Sequence, residues 1–337
     1  EGTDKTTVTQ TYNMKKWDEA SKTWVDDPKK LENIPTPEAG TGYDPASGAW
    51  VGEEPTNDTT VEDGKEYTYK YGLKNLGLTI KYVDEDGEEL QTATGRELLY
   101  GGSYDLVTDN TIENARVITV GTGSDEKQYV LDSIEGAVTG SNVTEAVTVT
   151  LVYSLDEDEN EVPDKYQATV SYKVEGGTFK EAEGTDKTTV TQTYNMKKWD
   201  EASKTWVDDP KKLENIPTPE AGTGYDPASG AWVGEEPTND TTVEDGKEYT
   251  YKYGLKNLGL TIKYVDEDGE ELQTATGREL LYGGSYDLVT DNTIENARVI
   301  TVGTGSDEKQ YVLDSIEGAV TGSNVTEAVT VTLVYSL

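Results

Sequence analysis

Apolar and polar residues alternate along several short segments of the chain, and many of the apolar ones are β-branched or aromatic. A side-chain period of two with this composition is typical of half-buried strands. Asp86-Gly87 lies between Ile80–Val83 and Glu89-Leu90, which predicts a β-hairpin. The alternating segments are Val8–Met14, Tyr67–Tyr71, Leu78–Tyr82, Val147–Tyr153 and Tyr166–Val174.

Helical signals are few. Asp27–Glu32 has a capping residue followed by proline at the first helical position, which predicts one or two helical turns. Thr111–Ala115 is a second, weaker candidate. The pattern as a whole therefore predicts a mostly β protein.

The chain repeats itself without change. Residues 1–155 recur as 183–337 at an offset of 182, and only 156–182 occurs once. This period is too long for a solenoid unit of roughly 20–50 residues and fits a tandem array of whole domains. An exact repeat also predicts that function depends on having several copies of the unit. The copies would either extend the protein over a greater distance or provide many weak binding sites that act together.

Two sequence breaks divide each period. Asn75-Leu76-Gly77 separates two strand segments, and an acidic run begins at Asp156. We therefore predict a first A module (1–74), a B module (75–155), an acidic linker with a complete A module (156–256) and a second B module (257–337). The first A module lacks the opening strand Tyr166–Val174. The favoured explanation is the boundary of the fragment, and the alternative is an open edge or a partner strand from another chain.

Composition restricts the chemistry. The 337 residues contain 29 Lys+Arg and 66 Asp+Glu, a net charge of -37, with no Cys and no His. Disulfides, thiolate sites and imidazole catalysis are excluded. Acidity argues against nucleic acid and anionic membranes, and no apolar run approaches the roughly 18 residues of a membrane span. No carboxylate pair is organised for catalysis, so we predict that the chain is not an enzyme.

The B module resembles the MucBP (mucin-binding protein) family in Leu78–Leu90, Gly101–Tyr104 and Val147–Tyr153. The A module resembles the companion domain found with MucBP modules in surface proteins of Gram-positive bacteria. The resemblance implies small β-grasp-like modules. We predict β-grasp-like or β-sandwich-like modules arranged end to end as an elongated, monomeric rod. The resemblance also implies an exported, cell-wall-attached adhesin. The residues that carry the A-module resemblance are Asp164–Val174, Gly230–Trp232 and Tyr249–Tyr253.

Residues 156–164 have the spacing of a calcium loop. Oxygen donors fall at positions 1, 3, 5 and 9, with a backbone carbonyl at position 7. These are Asp156, Asp158, Asn160, Asp164 and the Val162 carbonyl. The segment also resembles the Asp-rich loop that often precedes this companion domain. Bound calcium would neutralise the clustered carboxylates and stiffen the joint between modules.

Two residues depart from the calcium-loop pattern. Glu161 replaces the glycine of the sharp turn, and Gln167 replaces the bidentate Glu. A solvated acidic linker is therefore an equal alternative. The acidic segments Asp84–Glu88 and Asp266–Glu270 are better explained as hairpin turns.

Tryptophan pairs are the candidate ligand-binding residues. Trp17 and Trp24, repeated as Trp199 and Trp206, flank a short polar turn. Sugars can stack on exposed tryptophan, although core or cross-strand packing is the favoured interpretation.

The leading functional hypothesis is an adhesin that binds host mucin or another glycoprotein through repeated weak sites. The alternatives are a structural spacer without a ligand and an immunoglobulin-binding repeat that acts by edge-strand addition.

Overall fold

A computed structural model describes residues 6–180 and 186–337. Strands account for 45% of the chain and helices for 7%, which confirms the predicted mostly-β class. The chain divides into two compact units. The first comprises Glu1–Lys165 and Asp200–Thr205, and the second comprises Tyr166–Trp199 and Trp206–Leu337.

The first A module contains little regular structure. A hairpin joins β1 to β2, and a second antiparallel pair joins β3 to β4. A 3-10 turn precedes β3, capped by Asp44, whose side chain accepts from the Ala46 N–H. The strands are β1 (Lys15–Asp18), β2 (Thr23–Asp26), β3 (Ala49–Trp50) and β4 (Tyr69–Lys70).

The first B module is a five-stranded mixed sheet in the order β6-β5-β11-β9-β8. Its first and last long strands, β5 and β11, pair in parallel at the centre, and the other pairs are antiparallel. A short pair, β7 and β10, lies outside this sheet. The elements are β5 (Leu78–Asp84), β6 (Glu89–Arg96), β7 (Tyr104–Asp105), α1 (Thr111–Asn114), β8 (Val117–Val120), β9 (Lys127–Glu135), β10 (Thr139–Gly140) and β11 (Val147–Asp156).

The second A module forms a fuller structure. A four-stranded sheet has the order β15-β12-β20-β19, in which β12 is antiparallel to β15 and parallel to β20. A three-stranded sheet, β14-β13-β18, and the hairpin β16-β17 complete it. The strands are β12 (Gln167–Glu175), β13 (Gly177–Lys180), β14 (Asp186–Lys187), β15 (Thr189–Asn195), β16 (Lys197–Asp200), β17 (Thr205–Asp208), β18 (Pro219–Ala221), β19 (Ala231–Trp232) and β20 (Lys247–Lys252).

The second B module repeats the first, with the sheet order β22-β21-β27-β25-β24 and a parallel β21–β27 pair. Its elements are β21 (Leu260–Asp266), β22 (Glu271–Arg278), β23 (Tyr286–Asp287), α2 (Thr293–Asn296), β24 (Val299–Val302), β25 (Lys309–Glu317), β26 (Thr321–Gly322) and β27 (Val329–Ser336).

Each B module has its own core. Alternate residues of the central strands, among them Ile80, Val149 and Leu151, are fully buried. Tyr153 is also buried, and its hydroxyl donates at 2.6 Å to the carbonyl of Ala115, the residue that follows the short helix α1. Because the tyrosine buries its ring and satisfies its hydroxyl, it fixes the last strand against the segment that follows α1.

Local signals failed in two places. Asp27–Glu32 is not helical, because the Leu31 N–H donates to Thr59 O at 2.9 Å and pairs this segment with a distant one. The predicted strand Val8–Met14 is absent from the first A module, although its counterpart β15 forms in the second. By contrast, the helix at Thr111 and the Asp86-Gly87 turn are both present.

Candidate metal site and aromatic pairs

The acidic loop closes around three carboxylates. Strand β11 ends at Asp156, which is fully buried, and a 3-10 turn begins at Asp164. Carboxylate oxygens of Asp156, Asp158 and Asp164 all lie within 4.8 Å of one another. Oxygens that bind one calcium ion at about 2.3–2.6 Å are separated by no more than about 5 Å, so this spacing fits a shared ion.

Hydrogen bonds within the loop hold these side chains in place. Asp156 accepts from the N–H groups of Asn160 and Glu161 at 3.2 and 2.9 Å. Both carboxylate oxygens of Asp164 lie 3.1–3.2 Å from the Glu157 N–H. Backbone N–H groups of the loop therefore donate to the carboxylates at both of its ends, Asp156 and Asp164. The loop is folded back on itself and is not an extended linker.

The other two predicted ligands lie in the same turn. The Asn160 side chain donates to Asp158 at 2.8 Å and accepts from the Val162 N–H at 3.0 Å. Asn160 is thereby oriented beside the carboxylates, and Val162 follows two residues later. The structure brings Asp156, Asp158 and Asp164 together and places Asn160 and Val162 in the turn between them.

The backbone of the loop is left-handed at two glutamates. Glu159 has φ 56° and Glu161 has φ 64°. Glu161 occupies the position where calcium loops have glycine, and it adopts the required positive φ despite carrying a side chain. This conformation is unfavourable by about 1–2 kcal/mol for an ordinary residue, so the surrounding hydrogen bonds must stabilise it.

Electrostatics agree with a site for a cation. Burial raises the pKa of Asp164, and the neighbouring carboxylates of Glu157, Asp156 and Asp158 raise it further, while the Glu157 N–H opposes them. Oxygen donors and clustered negative charge are what Ca²⁺ prefers. The donor set therefore fits calcium. No other group of three or more acidic side chains within residues 6–180 and 186–337 is close enough to hold a metal ion.

Two neighbours of the loop were not found from the sequence. Gln128 lies opposite Asp156 in the β9–β11 ladder, and its amide donates to the Asp156 carboxylate at 2.8 Å. Lys165 forms ion pairs with Glu85 and with Asp132. Both contacts join residues far apart in sequence, and no local pattern signals them.

The hairpin turns with acidic residues behave as ordinary turns. Asp84 Oδ1 accepts from the N–H groups of Asp86 and Glu88 at 3.0 and 2.9 Å. Gly87 between them has φ 83°. The Asp-Gly pair therefore explains this acidic segment, as the sequence indicated.

The tryptophans form cross-strand pairs in both copies. Trp17 and Trp24 are directly opposite in the β1–β2 hairpin, with ring centroids 5.8 Å apart in an edge-to-face arrangement. Their exposed fractions are 44% and 63%. Trp199 and Trp206 repeat the pair at 5.6 Å but are only partly exposed, and Trp206 also packs against Tyr166. The first pair offers the more open aromatic surface.

Taken together, the B modules define a tandem array of mixed-sheet β domains. The family model of the MucBP domain matches residues 77–154 and 259–336, which confirms the tandem MucBP modules suspected from the sequence. Both A modules lie outside these matches. No curated protein matches the chain.

MucBP is a family of binding domains rather than of enzymes. Its members occur in surface adhesin-like proteins, where they suggest binding of mucin or other glycoproteins. In the part of the chain that the structure describes, no helix is long and apolar enough to span a membrane.

Proposed function

We propose that this chain is part of a Gram-positive cell-surface adhesin that binds host mucin or another glycoprotein through repeated weak sites. The observation that carries the proposal is the pair of MucBP matches within an unchanged repeat. Sites that share one chain reinforce each other, because the first contact raises the effective concentration of the second. Weak individual sites are then sufficient for firm attachment.

The hairpin tryptophans are the proposed sugar-contacting residues. Trp24 is 63% exposed and stands edge-to-face against Trp17, so a broad apolar ring face is held rigidly at the surface. Rigid aromatic rings provide contact area at low entropic cost. The net charge of -37 opposes approach to acidic mucins, so contact must be local and screened by salt or bridged by cations.

Calcium is the proposed cation. Asp156, Asp158 and Asp164 would supply carboxylates, with the Asn160 side chain and the Val162 carbonyl completing the set. An ion there would neutralise a cluster in which burial and like charges already raise the pKa of Asp164.

Binding of the whole chain to immobilised mucin tests the adhesive function. We expect Trp24→Ala to weaken attachment, and Trp24→Ala with Trp206→Ala to weaken it more than the product of the single effects, because avidity is lost. Val51→Ala is the matched control, since Val51 is an exposed apolar residue of the same module at 55%. Equal losses with the valine and tryptophan variants would contradict a role for the aromatic pair.

The alternative functions predict different outcomes in two further binding assays. A glycan array and an immunoglobulin pull-down should be run on the unmodified chain. Silence in both would favour a structural spacer, for which an acidic, soluble surface is well suited. Capture of immunoglobulin alone would favour edge-strand addition, and release of saccharide would indicate catalysis.

A further inference from the structure

A short segment connects the A and B modules within each period. Residues 72–76, which we call the strap, lie between β4, which ends at Lys70, and β5, which begins at Leu78. The strap recurs as residues 254–258, and each copy lies inside one of the two compact units. Relative motion is the ordinary expectation for neighbouring domains joined by an exposed segment, so the contacts of the strap decide whether the modules move.

The first half of the strap pairs with the A module. The Lys74 N–H donates to Gly42 O, and the Asp44 N–H donates to Gly72 O, both at 2.9 Å. The strap therefore runs antiparallel to residues 42–44 over this half.

The second half of the strap pairs with the B module. The Tyr100 N–H donates to Lys74 O and the Leu76 N–H donates to Leu98 O, both at 2.8 Å. The Asn75 side chain adds to this pairing, because its Oδ1 accepts from the Leu98 N–H at 3.1 Å. Leu98 is itself buried. Since the N–H of Lys74 bonds to the A module and its carbonyl to the B module, one pairing passes into the other at a single residue.

A tyrosine ring of the B module packs against the A module at the same place. A Cβ atom at Gly42 would lie 2.4 Å from the Tyr100 ring, so the ring touches the backbone of the glycine. Gly42 also has φ 84°, a conformation that favours glycine. Close approach of the ring and the backbone turn therefore both require glycine at this position.

The second period repeats these contacts at matching distances. The Lys256 N–H donates to Gly224 O at 2.9 Å, and the Tyr282 N–H donates to Lys256 O at 2.9 Å. Asn257 Oδ1 accepts from the Leu280 N–H at 3.2 Å. A Cβ atom at Gly224 would lie 2.3 Å from the Tyr282 ring. The same connection is thus formed in both compact units.

We propose that the strap, with Tyr100 packed on Gly42, is a locked joint that holds the A and B modules of one period in a fixed orientation. An unstructured segment of five residues would spread its ends over about 12 Å, whereas pairing on both sides restricts the strap to one conformation. The rigid element of the array is then the AB pair, of which the MucBP range 77–154 is only a part. Binding surfaces on the two modules keep a constant spacing, which lowers the entropic cost of engaging both.

Distances between spin labels on the full chain test the fixed orientation. The chain has no cysteine, so pairs of labels can be placed with Glu248→Cys and Lys263→Cys, which are exposed positions on β20 of the A module and β21 of the B module. Gln273→Cys with Thr301→Cys, on the opposite edge strands of one sheet, is the rigid reference pair. We expect pulsed electron paramagnetic resonance to give distance distributions of equal width. An A–B distribution broader by on the order of 10 Å would overturn the locked joint.

A two-residue insertion tests the role of the strap. Gly-Gly inserted between Lys256 and Asn257 separates the two pairings, so it should broaden the A–B distribution and leave the reference distribution unchanged. The same insertion between Asp268 and Gly269, in an exposed hairpin turn, is the matched control and should leave both distributions narrow. An A–B distribution that stays narrow with the strap insertion, or equal broadening by the two insertions, would overturn the role of the strap.

A double-mutant cycle tests the tyrosine ring. Gly224→Ala should lower the midpoint of thermal unfolding by less in a Tyr282→Ala background, because the smaller side chain removes the clash and leaves only the backbone strain. Gly234→Ala has the same positive φ without a neighbouring atom and should give one shift in both backgrounds. An equal shift for Gly224→Ala in both backgrounds would contradict the contribution of the ring to the joint. None of these outcomes depends on the binding of mucin or calcium.

Discussion

Calcium addition to the full chain should stabilise the unit that contains the acidic loop. Extracellular calcium sites have Kd values on the order of 10⁻⁴ to 10⁻³ M, so about 10 mM calcium would add about 1.4 to 2.7 kcal/mol. This corresponds to a rise of roughly 3 to 11 °C in the midpoint of thermal unfolding for a unit of this size. Differential scanning calorimetry at constant ionic strength measures it.

Stoichiometry separates the acidic loop from the other acidic segments. Residues 156–164 occur once in the chain, whereas the segment Asp84–Glu88 recurs as Asp266–Glu270. Isothermal titration calorimetry should therefore give one ion per chain. A value of two would assign binding to the hairpin turns, and an absence of heat would remove calcium from the account.

A pair of charge-matched variants locates the ion. Asp158→Asn removes one of the three clustered carboxylates and should raise Kd about tenfold or more, which reduces the stabilisation at about 10 mM calcium to about 0.4–1.4 kcal/mol. Glu159→Gln removes the same charge from the same loop but from a side chain outside the cluster. Equal effects of the two variants would show charge screening instead of coordination and would refute the reasoning.

Three further predictions concern the modules themselves. Burial raises the pKa of Tyr335 to about 12, against an ordinary value of 10. Its contribution to stability is therefore complete below pH 10 and declines as the pH rises towards 12, and Tyr335→Phe should flatten this decline in urea titrations. Gly224→Ala should lower the midpoint of thermal unfolding more than Gly234→Ala. Both glycines have φ near +85°. A Cβ atom at Gly224 would lie 2.3 Å from the Tyr282 ring, whereas a Cβ atom at Gly234 would have no neighbouring atom within 4 Å. Leu213→Ala should lower the free energy of unfolding by about 2–5 kcal/mol, and Leu31→Ala should lower it by less than about half of that, because only Leu213 is fully buried. Denaturant unfolding measures both losses. Equal losses would contradict the difference in packing between the two A modules.

The B module could be predicted closely because its signals are local. The alternation at Leu78–Tyr82 and Val147–Tyr153 corresponds to β5 and β11, and Asp86-Gly87 forms the turn between β5 and β6. Alternation indicates a strand but does not name its partner, so the parallel pairing of β5 with β11 was beyond the sequence pattern.

The A module shows why local signals fail. Asp27-Pro28 has the composition of a helix start, yet Leu31 pairs with Thr59 across the module. Val8–Met14 has the alternation of a strand, yet it forms one only where β12 is present to pair with it. In both places tertiary pairing decides between conformations that differ little in intrinsic propensity.

The candidate metal site was partly predictable. Ligand spacing identified Asp156, Asp158 and Asp164, and the structure brings their oxygens together. Two features of the site could not be predicted. The positive φ of Glu161 was hidden because this position carries glutamate instead of the glycine that usually signals it. The hydrogen bond from Gln128 to Asp156 joins two strands that are distant in sequence, so no local pattern indicates it.

The central parallel strands have a mechanical consequence. In the first B module β5 opens the domain and β11 closes it, and the two lie side by side over seven residue pairs. Tension applied through the two ends of this domain would load that ladder in shear, so its hydrogen bonds must yield together rather than one after another. In the second A module β12 and β20 share this arrangement over six pairs. Resistance to pulling is governed by the rate of forced unfolding, and loading these ladders in shear would slow that rate.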